Sequence, residues 1–173
     1  MLKDYKNHVQ ERLQQGIPPL ALNAEQVSDL VDLLKSPPKG EEDYILDLIT
    51  NRTPAGVDPA AYVKAGFLTA IAKGETTSPL IDKEHATTLL GTMLGGYNVE
   101  SLIGLLEDEE VGQIAAEGLS KTLLMFNAKH DVIELAQKNS NAKQVVDSWS
   151  NAEWFTSRPK LPEIIKAIVF RVE

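Results

Sequence analysis

The sequence predicts an all-α protein, a stack of antiparallel helical hairpins, and three observations lead there. Nearly every segment repeats its apolar residues at helical spacing. The connectors are short and marked by proline or glycine, and helix-capping residues stand where the periodic segments begin. Helices of this length joined by such turns lie antiparallel to their neighbours.

Leu2, Tyr5, Val9 and Leu13 form the first stripe, stopped by Gly16 and then Pro18 and Pro19. Asn23 with Gln26 makes a capping box ahead of Val27, Leu30, Val31 and Leu34, and Pro37 and Pro38 end that helix. Tyr44, Ile45, Leu48 and Ile49 line the next helix, broken at Thr53 and Pro54. Asp58 is an N-cap with Pro59 at the first helical position, where the missing N–H costs nothing. Val63, Phe67, Ala70 and Ile71 then carry the stripe, and Gly74 is a left-handed C-cap. Asp82 caps a helix with Ala86, Leu89, Leu90 and Met93, expected to end at a positive-φ turn over Gly95 and Gly96. Asn98 is expected to cap Leu102, Ile103, Leu105 and Leu106. A longer segment follows with Val111, Ile114, Ala115, Leu119, Leu123 and Phe126, after which Asn127 caps Val132, Ile133 and Leu135. The last helix carries Val145, Val146, Trp149 and Trp154, before Arg158 and Pro159.

The helix starts at Ala24, Pro59 and Val99 recur at 35 and 40 residues, near the HEAT and armadillo range, so the expected fold is a HEAT-like stack. The aligned residues are not visibly similar, and an irregular helical bundle is the alternative. One segment breaks the pattern. Ile164 to Val172, IIKAIVFRV, is rich in β-branched residues and reads as a strand with no second strand to pair with. The expectation is therefore a helical domain over 1–160, with 161–173 as a strand-like tail entering a further domain; the alternative is that the tail extends a terminal helix.

A chain of 173 residues is one domain of ordinary size and needs neither disulfide nor metal to hold a core. No apolar run approaches the roughly 20 residues needed to span a bilayer, and MLKDYKNHVQ lacks the apolar run of a signal peptide, so a cytoplasmic location is expected. Charge is uneven: residues 1–120 hold 9 Lys/Arg against 19 Asp/Glu, whereas 121–173 hold 8 against 6. An acidic body disfavours attraction to nucleic acid phosphates. The chain has no cysteine, so it has no thiolate with which to hold an iron–sulfur cluster.

The residue types that carry chemistry are sparse. His8, His85 and His130 lack metal-ligand spacing and suit surface or capping roles. Ser140 to Lys143 matches SxxK formally but reads as a polar connector. Gly91, Gly95 and Gly96 form neither a dinucleotide nor a phosphate-loop pattern. Glu107 to Glu110, EDEE, can attract a cation or basic partner, but reads first as favourable charge at the start of the following helix. Asn51 to Thr53 matches a glycosylation acceptor, which has no function in the cytoplasmic location expected. Trp149, Trp154 and Phe155 gather aromatic area that closes the helical stack or docks a partner. No catalytic, cofactor-binding or metal-binding residue is predicted.

AAYVKAGFLTAIAKGE (Ala60 to Glu75) and LLGTMLGGYN (Leu89 to Asn98) closely resemble the N-terminal helical domain of bacterial aconitate hydratase B, the aconitase and 2-methylisocitrate dehydratase. The same family is resembled by Gln10 to Asp58, by LSKTLLMFN (Leu119 to Asn127) and by SWSNAEWFTSRP (Ser148 to Pro159). The match departs most over His130 to Gln144 and Glu107 to Gly118. The resemblance implies a HEAT-like, non-catalytic interaction domain of a longer enzyme that interconverts citrate and isocitrate through cis-aconitate on a 4Fe–4S cluster held elsewhere. It also implies a role in domain packing, in access to the active site and in dimerisation. The implied partners are the remaining domains of the same enzyme, a second copy, and mRNA bound through the full-length protein, with no membrane. A stand-alone helical adaptor or an RNA-binding regulatory module is the alternative.

Overall fold

A computed structural model describes residues 1–122 and 128–157. Among these the elements are α1 (Leu2–Gln14), α2 (Ala24–Lys35), α3 (Glu42–Asp47) running into a π turn (Leu48–Arg52), α4 (Pro59–Ala72), α5 (Lys83–Gly91), α6 (Val99–Leu105), α7 (Gly112–Ser120), α8 (Lys129–Leu135), α9 (Ser140–Ser150) and α10 (Glu153–Thr156). The described residues contain no strand, and the fold is helical as expected. The strand-like tail over 161–173 and the expectations for Leu123, Phe126 and Asn127 lie outside the described residues, as do the side chains of Trp154 and Phe155.

Consecutive helices pair, and the pairs lie side by side. α4 packs on α5, α6 on α7 and α8 on α9, while α5, α7 and α9 pack against one another in turn. These three run in the same direction. The last residue of α5, Gly91, meets Gly118 near the end of α7, so closely that a Cβ on Gly118 would stand 2.9 Å from the Gly91 Cα. Asn141 at the start of α9 faces Gly112 at the start of α7, and Trp149 Nε1 near the end of α9 donates to the Leu119 carbonyl at 3.3 Å. One core runs along the stack, from Leu22, Val27 and Leu30 through Leu68 and Leu90 to Leu119, Val132 and Val145.

The starts follow the capping signals. Asn23 and Gln26 form the reciprocal capping box, Asp58 accepts from Ala60 N–H at 2.8 Å with Pro59 opening α4, and Asp82 accepts from His85 N–H at 2.7 Å. Gly74, Gly95 and Gly96 take the left-handed conformation.

The ends differ more. α5 stops at Gly91 instead of reaching Gly95, and Asn98 stands before α6 without capping it. The two departures have one cause. The buried Asn98 amide turns back and donates to the carbonyls of Leu90 (2.7 Å), in the last turn of α5, and Met93 (3.3 Å), just beyond it. Likewise α7 ends at Ser120, where Trp149 takes one last-turn carbonyl and Thr122 Oγ1 another. The final helix is divided: Asn151 closes α9 onto Asp147, Ala152 is extended, and Trp154 falls on the separate α10. In α1, Leu13 is 58% exposed and Tyr5 is the buried residue, so that stripe is shorter than predicted. In α4 the buried stripe is rotated: Phe67 and Ile71 are inside, but Val63 and Ala70 are half-buried while Ala60, Ala61, Leu68 and Ala72 fill the core.

Candidate functional site

The residues singled out for chemistry take up structural work. His8 Nε2 accepts the Leu20 N–H at 3.1 Å, and Tyr5 Oη donates to the Leu20 carbonyl at 2.6 Å; together they fasten the loop that follows α1. His85 lies in the first turn of α5, and His130 is exposed at the start of α8. Ser140 to Lys143 is not a connector but the first turn of α9, capped by Asn139, with Lys143 paired to Asp147 one turn on. The acidic run is also spent internally. Asp108 Oδ1 accepts the N–H groups of Val111 and Glu110, which hold its carboxyl below the usual range. Glu110 pairs with Lys83 at 2.9 Å, raising the lysine, and Glu107 pairs with Lys138 at 3.6 Å. Among the described residues, no group of three or more His, Cys, Asp or Glu side chains is placed to hold a metal ion.

Two features remain that the residue patterns did not announce. The first is Lys64. It is 3% exposed, packed into the face that α4 turns to the core, and its Nζ lies 3.4 Å from the Thr50 carbonyl in the π turn. No described carboxylate stands within ion-pair distance of it. Burial disfavours the ammonium and lowers its pKa to about 8. The placement has a logic: a cation at the end of the α3–π segment meets the negative end of that helix. Among the described residues no second acid or base is paired with it, so the arrangement offers charge and a hydrogen bond rather than proton transfer.

The second feature is a pair of loops, 53–58 and 92–98, stitched together with apolar groups facing out. Leu94 N–H donates to the Ala55 carbonyl at 2.6 Å, and Tyr97 Oη donates to the Val57 carbonyl at 3.2 Å. Gly95, at φ 87°, sits where a Cβ would lie 2.8 Å from the Gly56 carbonyl carbon, so the backbones touch. Tyr62, from the first turns of α4, meets Tyr97 edge to face at 5.4 Å between centroids. Despite these restraints Val57, Tyr62 and Leu94 are 75%, 66% and 69% exposed, and Tyr97 39%. A signal for this patch was present: Tyr62 falls opposite the stripe of α4, on a face with no charged residue.

With this geometry in place, comparison with known proteins is informative. The family described as the aconitate B N-terminal domain matches residues 4–155. The chain belongs to that family. It is 60% identical over 173 residues to aconitate hydratase B of Pseudomonas aeruginosa, 57% identical over 173 residues to that of Escherichia coli, and 43% identical over 174 residues to that of Helicobacter pylori. In each case 99% of this chain is covered but only 20% of the relative, so the chain spans about a fifth of the length of these enzymes. An aconitate B N-terminal domain without any cysteine does not fit a thiolate-held iron–sulfur cluster, and the described carboxylates and histidines are dispersed or paired. No described helix is long and apolar enough to cross a membrane.

Proposed function

We propose that this chain acts as the non-catalytic N-terminal interaction domain of a cytoplasmic aconitate hydratase B, an enzyme that interconverts citrate and isocitrate. The observation that carries the reading is the form of the match: end to end on this chain, at up to 60% identity, yet over only a fifth of the relatives. Its work is then packing, in keeping with a capped helical stack in which the residues singled out for chemistry, such as His8, Asp108 and Glu110, fasten loops and helix starts. Packing against the remaining domains, bordering the route to the active site and contributing to a dimer are the roles such a shape suits. The cluster chemistry lies outside this chain, which has no cysteine to bind it. RNA binding by this domain alone is disfavoured by a formal net charge of -8.

The test is a chimera in which this chain replaces the matching fifth of the Pseudomonas aeruginosa enzyme. The chimera is expected to hydrate cis-aconitate as the parent does, and the 173-residue chain alone to have no such activity. Activity in the isolated chain, or full activity and unchanged assembly after residues 1–160 are deleted from the chimera, would contradict the proposal.

A further inference from the structure

α4 inverts the usual pattern of a surface helix. Among its fourteen residues the only charged side chain is Lys64, and that one is inside. The outward positions are Pro59, Tyr62 and Gly66, with Val63, Thr69 and Ala70 half-buried beside them. A helix that is apolar or uncharged all round belongs in an interior, not on a wet surface. The outer side of α4 continues onto α6. Tyr62 touches Tyr97 in the loop before α6, and seven residues further along α4 the Thr69 hydroxyl donates to Ser101 Oγ of α6 at 2.7 Å, so the two elements meet at these points.

Two glycines mark the same surface. A helical glycine costs about 1 kcal/mol relative to alanine. No described atom lies within 4 Å of where a Cβ on Gly66 or Gly104 would stand, so no contact among the described residues requires either one. A missing side chain there leaves room for another backbone to approach. Beside them, the stitched loops hold Val57 and Leu94 in the open.

We propose that the outer face of α4, extended by loop 53–58, loop 92–98 and the adjoining side of α6, is the docking surface for another domain of the same enzyme. The occupant is an uncharged, apolar surface edged by Lys or Arg to meet Asp58 and Glu100, and it stays in place throughout the enzyme's life. This rests on the reading of the chain as one domain of a longer enzyme and adds which face is covered. Three considerations favour this occupant. The matched relatives have four-fifths of their length beyond the aligned region, which must abut this domain somewhere. Interfaces are depleted of charge at their centre, and permanently covered ones are the more hydrophobic. A second copy is the poorer candidate, because it would bring together two bodies that each carry 19 acidic against 9 basic residues over positions 1–120.

Hydroxyl-radical footprinting, read by mass spectrometry, tests the assignment on the chimera and on the 173-residue chain. In the isolated chain Tyr62 and Leu94 should react as exposed side chains. In the chimera their reactivity should fall to the level of buried Tyr5. Gly66→Gln, which places a long polar side chain on this face, should return Tyr62 to its unprotected reactivity in the chimera. A chimera that hydrates cis-aconitate while Tyr62 and Leu94 stay fully reactive overturns the docking face and leaves the domain reading intact. Protection that instead grows with concentration of the isolated chain assigns the face to a second copy and overturns the proposal. An inert chimera with no protection overturns both readings together.

Discussion

α2 and α4 are neighbours of similar length that each turn an apolar stripe inward, three buried apolar residues in α2 and seven in α4, yet their outer faces have nothing in common. α2 turns Val27, Leu30 and Leu34 inward and Glu25, Ser28, Asp29, Asp32 and Lys35 outward. α4 turns Leu68, Phe67 and Ile71 inward together with its one cation, and leaves tyrosine and glycine outside. The inward faces obey the same rule, so burial in the core does not explain the contrast. What differs is the medium each outer face meets: water for α2, and, on our account, protein for α4.

The inward equivalence can be broken first, with the largest effect. Leu30→Ala in α2 and Leu68→Ala in α4, both 0% exposed, should each cost about 2–5 kcal/mol in urea unfolding of the 173-residue chain. A markedly smaller loss at Leu68 would mean that α4 is not anchored as α2 is.

The buried cation gives the next effect, of opposite sign. With a folded-state pKa of about 8 against 10.5 when exposed, Lys64 binds its proton less tightly in the native state. Its charge therefore destabilises the fold below pH 8, and stability is regained as pH rises from about 8 toward 10.5. A shift of this size corresponds to roughly 3 kcal/mol. Part of that is returned through the Thr50 hydrogen bond, so Lys64→Met should stabilise the chain by about 1–2 kcal/mol at pH 7. The same substitution should flatten the rise in stability over that alkaline range. A loss of stability at pH 7 would show that the amine is held by more than one carbonyl.

The smallest of the three concerns the helix start. Asn23→Ala removes the capping box of α2 and should cost about 1 kcal/mol by thermal or urea unfolding. An unchanged midpoint would mean that packing alone fixes where α2 begins.

These differences also explain what was legible in the sequence. Helix starts were readable because their caps are local: Asn23 with Gln26, Asp58 with Pro59 and Asp82 each act within three residues. The ends of α1, α2 and α4 were readable too, at Gly16, Pro37 and Gly74, but those of α5 and α7 were not, because groups that satisfy them arrive from elsewhere. Asn98 closes α5 from the far side of a loop, and Trp149 reaches α7 from a helix about thirty residues on. The π turn at Leu48–Arg52 gave no advance sign, although Thr53, whose hydroxyl donates to the Leu48 carbonyl, was recognised as a breaker. Lys64 was passed over because counting apolar residues at helical spacing skips a charge lying on the stripe. It stands four residues after Ala60 and four before Leu68, squarely on the buried side. The patch of Val57, Tyr62, Leu94 and Tyr97 showed only in part, through the uncharged face that carries Tyr62, because its other residues come from two loops that only the fold brings beside that helix. The family resemblance was legible throughout, since it rests on residues spread from Gln10 to Pro159 and needs no knowledge of their contacts.

The outer face of α4 is the central claim, and thermal unfolding of Gly66→Gln in two settings tests it most directly. In the isolated chain the substitution replaces an exposed helical glycine with a better helix former and should raise the midpoint by about 2–4 °C. In the chimera the same side chain would be forced into a closed interface, and the midpoint should fall. A rise in both settings would contradict the account, because it would leave that face of α4 in water in the longer enzyme as well.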